Sequence, residues 1–201
     1  MKVYQIILAT IGFVIIVFAG FWYAHTHNTN KTNQQDTATN QSKSLNNLQE
    51  KMSETKFQIK SNVFNNNGEI PQKYSCDGEN VNPPLIIENI PEGTKSLVLI
   101  VDDPDAPIGV FTHWILFNIS PDTNFIDENS VPEGALQGIN DFKKVEYDGP
   151  CPPHGTHRYY FRLYAINDLL NLQNGATRGD VEKAFQDKII DETVLMGTYT
   201  R

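Results

Sequence analysis

The sequence is short of basic residues: 16 Lys and Arg stand against 24 Asp and Glu in 201 residues, a formal charge of −8. Affinity for a phosphate backbone comes from clustered Lys and Arg, so a generic nucleic-acid binder is excluded and any anion must be held by local geometry. No Cys stands directly after the one long apolar run, which argues against a lipoprotein. No Gly-x-Ser-x-Gly elbow is present, which removes the commonest signature of a serine hydrolase. With 13 Gly and 11 Pro, neither a collagen, a repeat array nor a long coiled coil fits. What is there, 39% hydrophobic and 20% charged residues, is the composition of a globular protein, and it excludes wholesale disorder and a polytopic membrane protein.

The charge is unevenly distributed. Residues 1–56 carry five lysines against three acids, whereas residues 57–201 hold 11 basic and 21 acidic residues, a net −10. The apolar run, residues 3–24, has no charge, and as a helix rising about 1.5 Å per residue it is long enough to cross a bilayer. Lys2 precedes the run and no basic residue follows before Lys31, so the positive-inside bias places the N-terminus in the cytoplasm and the remainder outside, in the periplasm of a Gram-negative cell. Phe21, Trp22 and Tyr23 occupy the place where a signal peptidase needs small residues, so residues 1–24 are expected to be an uncleaved signal anchor and transmembrane helix. Residues 25–56, rich in Asn, Gln, Thr and Ser, read as a disordered polar tether, with His25 and His27 as ordinary polar residues of it.

Residues 57–201 are about the commonest size for one domain. Apolar, β-rich runs recur at 85–88, 96–101, 112–119, 145–147, 158–165 and 193–200, separated by long connections with Pro and Gly. One segment reads as a helix, capped by Thr177 with Asp180 at its positive end and Val181, Ala184, Phe185 and Ile189 on one face up to Ile190. The expected fold is mainly β: an antiparallel β-sandwich with one or two peripheral helices. Arg178-Gly179-Asp180, at the start of the helix, is read as a chance match to an adhesion tripeptide.

Three segments gather titratable groups at strand ends. Asp102-Asp103-Pro104-Asp105-Ala106-Pro107 follows the run at 96–101, and three carboxylates so close oppose one another's ionisation unless donors or cations lie nearby. Thr112-His113-Trp114 opens the next strand. The segment from Tyr147 to Tyr159 contains Gly149-Pro150-Cys151-Pro152-Pro153-His154-Gly155 before His157, a rigid loop whose preset N–H groups suit an anion. Cys151, His154 and His157 also have the spacing of three zinc ligands, but no fourth is evident, and no metal or cofactor is expected.

Together these segments resemble the phosphatidylethanolamine-binding protein (PEBP) family, which includes the Raf kinase inhibitor proteins, and specifically its bacterial branch. The match lies in Asp103-Pro104-Asp105-Ala106-Pro107, His113-Trp114 and the block from Gly149 to Tyr159. Cys76-Asp77-Gly78, Asn82-Pro83-Pro84-Leu85, Gly138-Ile139-Asn140-Asp141-Phe142 and Gly197-Thr198-Tyr199 agree with it. The resemblance implies a β-sandwich with a small pocket at one end for phosphate, an acetate-like anion or a phosphoethanolamine headgroup. Carried over residue by residue, it places ligand-binding roles on Asp103, Asp105, His113, Gly149, Pro152, Pro153, His157 and Tyr159. His113 and His157, helped by loop amides near Gly149 and Gly155, are expected to donate to the anion, with Asp103 and Asp105 orienting the imidazoles.

Cys76 and Cys151 flank pocket-forming loops in what the anchor makes an oxidising compartment, so a disulfide between them is expected. The resulting expectation is a membrane-tethered, non-enzymatic binder of a phosphate-like anion or phospholipid headgroup. The alternatives are an inhibitor or interaction module with a protein target, since relatives inhibit kinases or serine proteases, and, further off, a hydrolase.

Overall fold

The computed structural model describes residues 56–201. The anchor of the sequence reading, residues 1–24, and all but the last residue of the tether, residues 25–56, lie outside the described residues; among the described residues no helix is long and apolar enough to cross a membrane. The elements run β1 (Gln58–Lys60), β2 (Gly68–Glu69), a 3-10 turn (Gln72–Tyr74), β3 (Leu85–Glu88), β4 (Ser96–Asp103), β5 (Phe111–Ile119), β6 (Phe125–Ile126), β7 (Leu136–Gln137), β8 (Thr156–Ile166), α1 (Arg178–Phe185) and β9 (Ile189–Thr200). They form a three-stranded sheet, β1-β3-β6, and a six-stranded sheet, β2-β9-β8-β4-β5-β7. Pairing is antiparallel except between the short β2 and β9.

β4 shows why its sequence reads as an unbroken apolar run: both of its faces are buried. Leu97, Leu99 and Val101 enter the main core with Ile59 of β1, Leu85 and Ile87 of β3, and Phe161 and Leu163 of β8. Val98 and Ile100 point the other way, into a second core closed by Val181 and Phe185 of α1. The helix begins where its capping residues dictate: the Thr177 hydroxyl accepts from the Asp180 N–H (3.2 Å) and the Asp180 carboxylate accepts from the Thr177 N–H (3.2 Å).

Two segments differ from the sequence reading. The helix ends at Phe185, and Ile189 and Ile190 open β9, which pairs along β8 for the length of that strand. Residues 145–147 form no strand; Tyr147 is instead tied by its hydroxyl to the Tyr74 carbonyl (2.9 Å), so that stretch is loop wall. α1 is the one α-helix among the described residues, with the 3-10 turn as a second, minor helical element. Arg178-Gly179-Asp180 is fully engaged, Arg178 with Asp102 and Glu182 and Asp180 in the cap.

Candidate functional site

The alternation of β4 carries past Val101 and sends its two terminal carboxylates to opposite faces. Asp102, 1% exposed, lies on the helix side and is held by Arg162 (3.0 Å) and Arg178 (3.0 Å). Asp103 lies on the main-core side, where its Oδ2 accepts from His157 Nδ1 (2.7 Å) and its Oδ1 accepts from the Asp105 N–H (2.8 Å). His157 shares its face of β8 with Tyr159, Phe161 and Leu163 and is therefore carried to the same end of the core.

His113 reaches that end through a break in the ladder. Val101 pairs with Trp114 and Asp102 with Thr112, leaving His113 as an extra residue in β5. Such a bulge re-aims a side chain. The His113 ring meets Tyr159 edge-on at 5.2 Å and stands against Phe111 (5.3 Å) and Phe142 (5.6 Å). Its Nδ1 is 2.7 Å from the Asp148 carbonyl oxygen. A carbonyl can only accept, so this nitrogen carries the proton. Burial pushes the His113 imidazole below the usual histidine range, against the opposing pull of the Asp148 carbonyl and the Asp103 charge.

The two histidines line a cavity of about 240 Å³ with Asp103, completed by apolar walls from Pro107, Ile108, Phe111, Phe142, Pro152 and Pro153. The Cys151 side of the cavity is anchored by a disulfide to Cys76. Since each Nδ1 is already engaged, Nε2 is the nitrogen each ring has left for a ligand. For neutral His113 that nitrogen is an acceptor, which corrects the expectation that both rings donate: His113 suits a ligand oxygen or nitrogen that brings its own proton.

The other expected residues are placed differently. Pro152 and Pro153 are in the wall. Asp105 lies outside it, gripped by Arg158 through two contacts of 2.6 and 2.8 Å, and that guanidinium holds its carboxyl down at about 2. Gly149 is a packing residue: its N–H donates to Asn80 Oδ1 (2.8 Å), and a Cβ there would meet the Tyr74 carbonyl oxygen at 2.1 Å. The Gly155 N–H donates to the Arg201 carbonyl (2.9 Å), so neither expected loop amide is free for an anion. Tyr159 stands behind His113, and its buried hydroxyl has no hydrogen-bond partner.

The zinc alternative loses its thiolate to the disulfide, and among the described residues no group of His, Cys, Asp and Glu is placed to hold a metal. Sequence reasoning missed the walls contributed by Phe111 and Phe142. It also missed Asp148, 5% exposed, whose carboxylate is fixed by Asn140 (2.8 Å) and Lys144 (2.9 Å) while its carbonyl orients His113. The signal was faint: Phe142 and Asp148 are distant in sequence from His113, and only the pairing of β5 brings them close.

Residues 60–200 match the family model described as phosphatidylethanolamine-binding protein. The chain belongs to the phosphatidylethanolamine-binding protein family. A UPF0098 protein of Methanothermobacter thermautotrophicus is 48% identical over 148 residues, covering 71% of this chain and 98% of the relative. Another from Pyrococcus abyssi is 50% identical over 155 residues, 70% of this chain and 84% of the relative. Among solved structures, a PEBP homologue from Chlamydia trachomatis superposes with a TM-score of 0.71 at 39% identity, covering 73% of this chain and 99% of that one. Escherichia coli YbcL, described as a member of the mammalian PEBP family, gives 0.69 at 28%, covering 72% and 98%. The match takes in nearly the whole of the Methanothermobacter relative and of both solved chains, and in this chain residues 55–201 form a compact unit of their own. Membership points to ligand binding by that unit.

Proposed function

We propose that the domain binds a small phosphate-like anion, with a phosphoethanolamine-type lipid headgroup as its physiological form, and performs no chemistry on it. The observation that carries this reading is the pair of imidazoles lining one small cavity, each with its Nδ1 tied off, His113 by the Asp148 carbonyl and His157 by Asp103. One face of the cavity offers lone pairs and a carboxylate, suited to an ammonium or a protonated phosphate oxygen. The rest is apolar, which strengthens each polar contact by excluding water. With both rings neutral, two Nε2 lone pairs would oppose an unprotonated phosphate. Protonating the ligand oxygen, whose second ionisation falls at about pH 6, removes that conflict, so affinity is expected to rise as pH falls from about 8 to 6.

The apolar run at 3–24 would hold the domain at a membrane, outside the cytoplasm, where a lipid headgroup is always within reach. The test is calorimetric titration of residues 56–201 with phosphoethanolamine and with inorganic phosphate. Binding that strengthens toward pH 6 and disappears in His157→Ala supports the reading; absence of heat with either ligand at both pH values rejects it.

A further inference from the structure

We infer that a second cavity, floored by Trp114 and Tyr147, is a separate binding site for a small organic cation bearing hydroxyl groups, an amino sugar with a free ammonium group. The cavity holds about 290 Å³ and shares no wall residue with the one lined by His113 and His157, so the site is independent of the headgroup reading. Its volume is close to the lower end of small-molecule pockets, about 300 Å³, which leaves room for a single ring.

The walls are set before a ligand arrives. Trp114 and Tyr147 meet edge-on at 5.5 Å. The Trp114 indole N–H donates to Gln137 Oε1 (2.9 Å), which fixes that amide and leaves its NH₂ as a donor. Asn82, 4% exposed, donates to the Asp127 carbonyl (2.9 Å) and accepts from the Ser130 N–H (3.0 Å), and so holds the wall at Asn129, Ser130 and Val131 in place. Asn80 accepts from the Gly149 N–H (2.8 Å) and steadies the wall that carries Glu79. Preset walls of this kind cost a ligand little ordering entropy.

The charge of the walls selects a cation. Glu79 and Glu146 line the cavity, and no Lys, Arg or His does. Their side chains are 67% and 59% exposed, which puts the carboxylates at its rim. Each has a lysine nearby, but both lysines are shared: Lys73 Nζ is 3.9 Å from Glu79 and is taken up by Glu128, while Lys144 Nζ is 3.2 Å from Glu146 and 2.9 Å from Asp148. Two lysines among four carboxylates leave the rim negative, and a domain at −10 adds to the attraction for a cation. A metal ion fits less well, since among the described residues no group of His, Cys, Asp and Glu is placed to hold one. The neutral polar groups select hydroxyls. Besides the Gln137 amide, Asn129 and Ser130 line the cavity with side chains that no other described residue engages, and the aromatic floor gives the C–H groups of a ring an apolar contact.

The test follows the indole N–H signal of Trp114, the one tryptophan in residues 56–201, while glucosamine, N-acetylglucosamine, glucose or putrescine is added to that domain. Glucosamine is expected to shift the signal to saturation. N-acetylglucosamine and glucose, which lack the charge, and putrescine, which lacks the hydroxyls, are each expected to bind at least about tenfold more weakly. Glu79→Gln/Glu146→Gln alters two exposed side chains, so its free spectrum should stay that of the folded domain while glucosamine binding weakens by about tenfold or more. His157→Ala should leave the glucosamine shift unchanged. Absence of a saturable shift with glucosamine, an equal response to glucose or putrescine, full binding by the double Gln variant, or loss of the shift in His157→Ala overturns the inference; the first three leave the headgroup reading standing, because they concern no residue of its cavity.

Discussion

Reducing the Cys76–Cys151 bridge is the perturbation whose size follows most directly from the fold. The two cysteines are 75 residues apart in sequence, and the segment between them contains β3, β4, β5 and the bulge that carries His113. In the chain-entropy treatment a loop of that length restricts the unfolded chain by about 4.5 kcal/mol, from which native strain is subtracted, so about 2–4 kcal/mol is expected. The bridge also works with other contacts. Cys76 N–H donates to the Pro150 carbonyl (3.1 Å) and Tyr147 Oη donates to the Tyr74 carbonyl (2.9 Å), so the loop bearing Pro152 and Pro153 stays near its place after reduction. The loss should therefore appear mainly as stability and secondarily as ligand affinity. The assay is urea unfolding of residues 56–201 with and without dithiothreitol, alongside Cys76→Ser/Cys151→Ser. At a urea dependence of about 2 kcal/mol per molar, the midpoint should fall by about 1–2 M in both cases. A midpoint that moves by less than about 0.3 M would refute the reasoning, because the unfolded chain would then be gaining little freedom from the broken loop.

Three further outcomes are expected. Gly149→Ala should cost more than about 2 kcal/mol, since its methyl would sit on the Tyr74 backbone rather than on a side chain that can turn away; a normal urea midpoint for this variant would contradict that. Asp102→Asn should cost about 2–3 kcal/mol by stripping Arg162 and Arg178 of their shared partner, the lower part of the range applying because both guanidinium groups keep some water; thermal unfolding measures it, and no change in midpoint counts against it. His113 is held neutral by burial, so below about pH 6.5 the unfolded chain binds a proton the folded chain resists, and stability falls as pH drops through that value. Urea unfolding of His113→Phe between pH 7 and 5 should show a shallower pH slope than the unaltered domain, and an identical slope would dismiss His113 as its source.

Much of the architecture is legible because it depends on local chemistry. The unbroken apolar stretch of β4 signals a strand buried on both faces, and Thr177 with Asp180 marks the start of α1 through a capping box that needs no tertiary partner. The cavity is legible only as a set of residue types. That Asp103 faces His157 while Asp102 faces Arg178 depends on strand alternation fixed by β8. That His113 faces the cavity at all depends on one residue of register slip against β4. Asp105 reads as a pocket acid until Arg158, 53 positions away, is seen to claim it. Gly149 reads as an anion-binding glycine until the Tyr74 backbone is seen to fill the space beside it. The segment at 145–147 has strand-like residues, but it forms no ladder and its Tyr147 is taken up by the Tyr74 carbonyl.

The central claim is that two imidazoles present their Nε2 atoms to one ligand, His113 as an acceptor. Nitrogen-15 spectra of the histidine rings in residues 56–201, recorded while phosphoethanolamine is added, test it atom by atom. The expected spectrum of the free domain shows His113 neutral with its proton on Nδ1, and ligand addition then shifts the Nε2 signals of His113 and His157 together. A free-state proton on His113 Nε2, or ligand binding that leaves both Nε2 signals in place, would contradict the account.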